Sequence, residues 1–344
     1  MTPDDREPEL LAVERLNPVL QRSANWPHGQ LRSLTVEKIG LDFGLSGRSH
    51  LVTVMTESGE IAHLVAKIES AGSIARAVAF RRRNERALSD MIPASYGAVV
   101  DDGSSDGVIL LEYVHPAEQG DVLIGTTEMR ARDLMRTIGR LHGHTWRDAG
   151  EDEGLHSQWA AEAWKRSRWM DRLVRAHERY PEVVSECHVE RLTGFPAEVA
   201  AAITDLKTGP RSWIHHDLHL DNVLWRPGGT PVLLDWSGAV MGPPGVDVSV
   251  LLLDLAFGAR PSLSPEELLS TYHEVVVGSG VTVESRNVVH TGRLALFPLL
   301  QGIMGWAGRA DDPPPTGRSQ ALRDYSIAAA IRALTWLDGI STVG

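Results

Sequence analysis

The chain has 344 residues, with 42% hydrophobic and 23% charged residues, the profile of a folded globular protein long enough for two lobes and not of a disordered or fibrous one. Its 34 Lys and Arg against 45 Asp and Glu give a net charge of −11, which argues against a nonspecific nucleic-acid binder, whose phosphate contacts need a basic surplus. The single cysteine, Cys187, excludes an internal disulfide. With an acidic N-terminus and no apolar run of the roughly 18 to 20 residues a membrane helix needs, the expectation is a cytoplasmic protein with no membrane partner.

Residues 9–22 carry Leu10, Leu11, Val13, Leu16, Val19 and Leu20 at helical spacing and predict a short leading helix. Between Leu34 and Ile68 the runs LTVEKIGL, HLVTVMT and HLVAKI are alternating or β-branched and are separated by turn residues, which predicts antiparallel strands. The stretch from Ser73 to Ile92 places Ile74, Val78, Leu88 and Ile92 among arginines without Gly or Pro, and predicts a helix. YGAVV and GVILLEYV flank the turn-forming DDGSSDG and predict a hairpin ending near Glu112. Sheet, helix and sheet make a first lobe over residues 1–113.

Beyond His115 the pattern is mainly helical. Leu134, Ile138 and Leu141 make an apolar stripe with His142 on the same face, which reads as a packed core histidine, and a second helix over 157–180 carries Trp159, Trp164 and Trp169. Tryptophans at such spacing, with Trp306 and Trp336 further on, belong more often to a core than to a pocket. Two strand-like runs, WIHHDLHLDNVLW and TPVLLDWSGAV, interrupt the helices, which resume from Val248; DDPPPTGR at 311–318 reads as a loop. Residues 114–344 form the second lobe in this reading.

The chemistry concentrates within the second lobe's sequence. His215-His216-Asp217-Leu218-His219-Leu220-Asp221-Asn222 matches H-x-D-x-x-x-x-N, and the apolar run Val232-Leu233-Leu234 delivers Asp235 thirteen positions after Asn222. Phosphoryl transfer to a hydroxyl needs a carboxylate to orient the hydroxyl, metal ligands and a cation on the phosphates. Asp217 suits the first task, and Asn222 and Asp235 offer the hard oxygen donors that Mg²⁺ prefers. A competing reading gives His215, His216, His219 and Asp221 to a zinc hydrolase, but it leaves Asp235 and the first lobe without a role.

HHDLHLDN resembles the HGDLHPGN segment of the aminoglycoside phosphotransferase and choline kinase group, within the protein-kinase-like superfamily, and LLDWSGAVMGPPGVDVS is similar to that family's second signature. The resemblance covers most of residues 34–260. It implies an α+β, bilobal protein-kinase-like fold, with an N-terminal lobe of antiparallel sheet plus helix and a larger, mainly helical C-terminal lobe. It also implies Asp217 as catalytic aspartate, Asn222 and Asp235 as metal ligands, and His215 and Asp247 as braces of the loop. ATP and Mg²⁺ are the implied cofactors.

On the nucleotide side, Lys67 ends the run His63-Leu64-Val65-Ala66, whose V-A-x-K texture resembles the phosphate-contacting lysine of kinase folds. The segment from Gly44 to Ser49, with Ser46 and Gly47, resembles the family's phosphate-covering loop, and Glu112 to Val114 its hinge, where backbone groups meet the adenine edge. One departure stands out. RAVAFRRR resembles the family's REVxFYRE helix, but the glutamate that partners the lysine falls on Ala77; Glu85 and Glu69 are the candidate substitutes.

Only eleven residues separate Asp235 from Asp247, and no A-P-E follows, which leaves no platform for a peptide and favours a small-molecule hydroxyl as acceptor. An aminoglycoside or other antibiotic, an amino alcohol and a sugar are all open, and a role in antibiotic resistance with them. The apolar run Leu294–Leu300 would suit a more lipophilic alcohol. The alternative function, motivated by Ala77, is a nucleotide-binding pseudokinase without transfer activity.

Overall fold

Alternation of buried and exposed side chains in the first third of the chain closes into a five-stranded antiparallel sheet in the computed structural model, which describes residues 10–39, 48–100, 105–147, 166–261, 263–309 and 317–341. Two compact units emerge: Met1–Gln119 with Val223–Ala239, and Gly120–Asn222 with Val240–Gly344. In the first, helix α1 (Val13–Leu20) precedes strands β1 (Leu31–Ile39), β2 (Ser49–Thr56) and β3 (Ile61–Ser70). Helix α2 (Ala71–Asn84) follows β3 directly, and β4 (Ser95–Val100) and β5 (Asp106–Glu112) form the expected hairpin, giving the order β1-β2-β3-β5-β4.

The period of two along β3 decides what each face does. Ala62, Leu64, Ala66 and Ile68 enter a core shared with Leu16 and Leu20 of α1, Val52 and Val54 of β2, and Val108 and Leu110 of β5. Lys67 and Glu69 occupy the alternate positions. Ser70 then accepts a hydrogen bond from the Ser73 N–H (3.2 Å) and caps α2, so the strand passes into the helix without a loop.

Strand β6 (Glu118–Gln119) pairs with a later part of the chain. After β7 (Ser212–Ile214), which belongs to the second unit, β8 (Val223–Trp225) and β9 (Pro231–Leu233) return to the first, in the order β6-β8-β9. The Leu233 N–H donates to the Met91 carbonyl (2.7 Å), Phe80 stacks on Trp236 (ring centroids 4.0 Å, planes 5° apart) and the Arg76 Nε donates to the Ser237 carbonyl (3.0 Å). Asp235 is thereby built into the same unit as Lys67.

The second unit is helical: α3 (Glu128–Thr145), α4 (Arg166–Arg179), α5 (Glu186–Leu192), α6 (Phe195–Thr208), α7 (Gly245–Leu255), α8 (Pro265–Gly278), α9 (Ser285–Ala307) and α10 (Arg318–Ser341), with β10 (Val240–Gly242) pairing with β7. Helices α3 and α8 pack closely enough that a Cβ at Gly143 would lie 2.6 Å from Ser279. This is the predicted α+β, bilobal, protein-kinase-like fold, sheet plus helix followed by a larger helical lobe. The leading helix is shorter than residues 9–22, and Trp159, Trp164 and most of the loop at 311–318 lie outside the described residues. Trp169 is fully buried and its Nε1 donates to the Leu192 carbonyl (2.8 Å), a core role.

The entry to β7 is set by Arg211, 1% exposed. Its guanidinium donates to the carbonyls of Leu206 (2.8 Å), Lys207 (2.6 Å), Gly209 (3.0 Å) and Pro210 (3.1 Å), closing the C-terminal end of α6. Arg211→Met keeps much of the buried stem but orphans these carbonyls, and is expected to lower stability by about 2 to 4 kcal/mol, read as a lower urea midpoint.

Candidate active site

Strand β7 ends at Ile214, and the next two backbone N–H groups point at one carboxylate. The His215 N–H donates to Asp247 Oδ2 (2.7 Å) and the His216 N–H to Asp247 Oδ1 (2.8 Å). Asp247 is fully buried in the first turn of α7, where the helix N-terminus favours an anion. His142 of α3 supplies a further contact, Nε2 to Asp247 Oδ2 at 3.3 Å, while its Nδ1 meets the Tyr272 hydroxyl of α8 at 2.9 Å. Burial by itself would raise the Asp247 pKa, yet the hydrogen bond and charge of His142, with His215, hold it below the usual carboxylate range. In the same setting burial, then the charge of Asp247, push the Tyr272 hydroxyl well above the ordinary tyrosine value.

The loop that rests on Asp247 carries Asp217 outward. Its carboxylate is 65% exposed, 3.8 Å from His219 Nε2, and its N–H donates to the His215 Nδ1 (3.4 Å). Asn222 lies in a 3₁₀ turn, Leu220–Asn222, and its Nδ2 donates to the Asp217 carbonyl (2.8 Å) with His219 Nε2 at 3.2 Å. That fixes the amide and leaves Asn222 Oδ1 as an acceptor with no hydrogen bond among the described residues.

Two further acids anchor the turn from beneath. Asp221, 3% exposed, accepts the Val122 N–H (2.8 Å) and pairs with Arg318 (2.9 Å), which also grips Asp121 through two bonds of 2.9 and 3.0 Å. Asp254 of α7 accepts the Leu220 N–H (2.8 Å) and the Tyr325 hydroxyl (2.7 Å). Burial pushes the Asp254 carboxyl up to about 6, against the opposing pull of those hydrogen bonds.

In the first unit, Lys67 Nζ pairs with Glu69 Oε1 (2.8 Å) and with Asp235 Oδ1. Burial works to lower the lysine pKa, but the charges of Asp235 and Glu69 outweigh it and hold the ammonium above its usual range. Asp235 Oδ1 also accepts the Ser237 hydroxyl (2.7 Å), and the residue sits at φ 56°, ψ 68°. Glu85 is engaged elsewhere, by the Ser95 N–H (2.6 Å) and Arg81 (3.5 Å), so of the two candidate partners for Lys67 the fold places Glu69 beside it.

At the end of β5, the Glu112 side chain accepts the Ala94 N–H (3.0 Å) and Arg226 (3.0 Å), and its own N–H donates to the Ala94 carbonyl (2.8 Å). Val114 is 6% exposed and its N–H makes no hydrogen bond among the described residues. Ser46 and Gly47 lie outside the described residues. His215, His216, His219 and Asp221 do not gather into a metal-holding cluster, and among the described residues no group of three or more His, Cys, Asp and Glu does so. No described helix is long and apolar enough to cross a membrane. Of the apolar run Leu294–Leu300, Ala295, Leu296 and Leu300 are buried in the core.

Residues 44–272, which span Lys67, the Asp217 loop, Asp235 and Asp247, match the phosphotransferase enzyme family (APH). The chain belongs to this family. Solved structures with the same fold include spectinomycin phosphotransferase APH(9)-Ia in complex with ADP and spectinomycin (12% identity, TM-score 0.55, covering 94% of this chain and 98% of the other). Amicoumacin kinase hAmiN in complex with AMP-PNP, Ca²⁺ and Ami is similar at 12% identity and TM-score 0.53 (89% and 90% covered). Choline kinase from Cryptosporidium parvum Iowa II is similar at 12% identity and TM-score 0.52 (96% and 96%). Comparison with curated protein sequences finds no match.

What the sequence of this phosphotransferase-family chain did not reveal are the supports on distant elements: Tyr272, Asp254, Tyr325 and the Asp121–Arg318–Asp221 bridge. The mainly apolar texture of α7 around Asp247 and Asp254 is one local signal, because a carboxylate amid Val and Leu must find partners. His216 carries a second legible signal. Its φ is 74°, the left-handed region, and it stands where the resembled segment HGDLHPGN has glycine. Left-handed backbone costs a side chain about 1 kcal/mol, so His216→Gly is expected to exceed His216→Ala in stability by about 1 kcal/mol in urea denaturation.

Asp254 gives a pH dependence. Its folded pKa lies above the unfolded value near 3.8, so its contribution to stability is fully present below that value and is lost as pH rises through about 6. Asp254→Asn, which mimics the protonated acid, is expected to flatten stability against pH between pH 4 and 6, measured by thermal melts across that range.

Proposed function

We propose that the chain is an ATP- and Mg²⁺-dependent O-phosphotransferase that moves the γ-phosphoryl group to a hydroxyl of a small molecule. The observation that carries the reading is the Asp217 loop: an exposed carboxylate on a backbone pinned by the buried Asp247, with the Asn222 amide tied back to the Asp217 carbonyl so that its oxygen is left open. Asp217 orients the acceptor hydroxyl and takes its proton as the new O–P bond forms and ADP departs. Asn222 Oδ1 and the Asp235 carboxylate are the proposed metal ligands. One carboxylate and one amide oxygen suit Mg²⁺, which keeps waters and binds largely through nucleotide phosphates, better than an ion that demands an all-protein cage. Mg²⁺ supplies charge neutralisation on the phosphates.

Lys67 holds the α- and β-phosphates, Ser46 and Gly47 belong to the same proposed nucleotide-binding set, and the free N–H of Val114 with the Glu112 carbonyl meets the adenine edge. His215 and Asp247 act as braces, not as reacting groups. We place this activity in the cytoplasm, with residues 1–113 as the nucleotide lobe and 114–344 as the catalytic and acceptor lobe. The acceptor class comprises aminoglycosides and other antibiotics, amino alcohols and sugars. Spectinomycin in one relative of this fold supports a polar acceptor, as does the net charge of −11, which favours a cation.

Transfer of labelled γ-phosphate to a panel of these hydroxyl compounds tests the reading. On an accepted substrate Asp217→Asn is expected to cut turnover by about 10²- to 10⁴-fold while Mg·ATP binding persists; full turnover in that variant would sink the assignment. A nucleotide-binding chain without transfer is the second reading, favoured by Ala77, and Mg·ATP binding with no labelled product across the panel would select it.

A further inference from the structure

The lysine that serves the phosphates lacks the helix glutamate expected at position 77, and the sheet supplies a carboxylate of its own. We propose that Glu69, on the same strand as Lys67, is the positioning residue that holds the lysine for the nucleotide phosphates; this rests on the phosphotransfer reading above.

Residues two apart on a strand share a face about 7 Å apart along the chain, and Lys67 and Glu69 meet at 2.8 Å with side chains only 12% and 19% exposed. Their backbones are paired to neighbouring strands, Lys67 opposite Ser49 of β2 and Ile109 of β5, and Glu69 opposite Gly107 of β5. The contact is therefore set by the sheet and does not depend on where α2 lies. Ala77 faces the same small cavity as Lys67, Glu69 and Asp235, a space of about 20 Å³. In this chain the carboxylate beside Lys67 comes from the strand, and Ala77 on the helix offers none.

Asp235 also touches Lys67, but it has a second duty as a proposed metal ligand. An oxygen drawn toward a divalent cation offers less to an ammonium, whereas Glu69 has no such competitor and keeps Lys67 aimed when the nucleotide is loaded. The consequence is a lysine pre-positioned by covalent strand geometry. In kinases regulated through their helix, moving that helix makes and breaks the lysine–glutamate pair; here the pair lies within one strand and involves no residue of α2.

Binding of Mg·ATP and of adenosine to the full chain, both by calorimetry, tests the inference. Adenosine reports the adenine site without the phosphates. Glu69→Gln is expected to weaken Mg·ATP by about tenfold or more, the loss of one charge-assisted hydrogen bond, and to leave adenosine affinity unchanged. Equal weakening of both ligands would mean a merely structural residue and would overturn the proposal, as would unchanged Mg·ATP binding. If Glu69→Gln does not fold, Glu69→Asp, which withdraws the carboxylate by one methylene, is expected to show the same split in smaller measure, and its absence overturns the proposal equally. A wild-type chain that binds neither ligand would bring down the phosphotransfer reading itself, an outcome distinct from a failure confined to Glu69.

Discussion

A carboxylate sealed from water is costly unless it is engaged, and Asp247 is engaged through both of its oxygens. It takes the N–H groups of His215 and His216, meets His142, and sits in the first turn of α7. The geometry of the candidate catalytic loop follows from that arrangement. Two consecutive N–H groups converge on this one carboxylate, and directly after the second the left-handed φ of His216 turns the chain. Asp217, next in line, is thrown outward to an exposed position. Burial of one acid thus produces exposure of another.

The Asp217 loop is held at more than one point, and each hold comes from a different part of the second unit. Asp254 fixes the Leu220 N–H, Asp221 reaches Val122 and Arg318, and the Asn222 amide closes back on the Asp217 carbonyl. Side chains that act in concert need supports of this kind, since displacement of a reacting group by an ångström is enough to slow chemistry greatly. In the first unit the same end is reached by other means. Lys67 and Glu69 are aligned by strand periodicity, and Asp235 is brought to them by β8 and β9, whose register places Val223 opposite Leu233 two residues before it.

Local pattern is enough to read the strands, the β4–β5 hairpin, the helix after Lys67 as far as Asn84, though not its end short of Leu88 and Ile92, and the segment from His215 to Asp235, because each depends on periodicity or on close spacing in sequence. Contacts between distant residues leave no such pattern. Tyr272 lies 130 residues from His142 and Arg318 lies 97 from Asp221, and no local spacing announces either pair. Strand β6, two residues long, has no period to detect, yet its pairing with β8 draws Val223–Ala239 into the first unit. The choice between Glu69 and Glu85 was likewise undecidable from spacing, since both stand on plausible faces; it turns on Ser95 and Arg81, which occupy Glu85.

Two non-glycine residues with positive φ, His216 and Asp235, stand in sequence on either side of the Asn222–Val223 junction, one in each unit. Strain of this kind persists only where the surroundings over-determine it, and in both cases the determinants are visible. At His216 it is the shared carboxylate of Asp247. At Asp235 it is the turn that follows, where Ser237 donates its hydroxyl to the Asp235 carboxylate while Trp236 is clamped by Phe80 and by its Nε1 bond to the Leu233 carbonyl (2.9 Å). An extended residue at 235 would carry the strand straight on past Lys67. The left-handed turn comes two residues after β9 and leaves the carboxylate against the ammonium, so a strained backbone sets the position of a charged side chain.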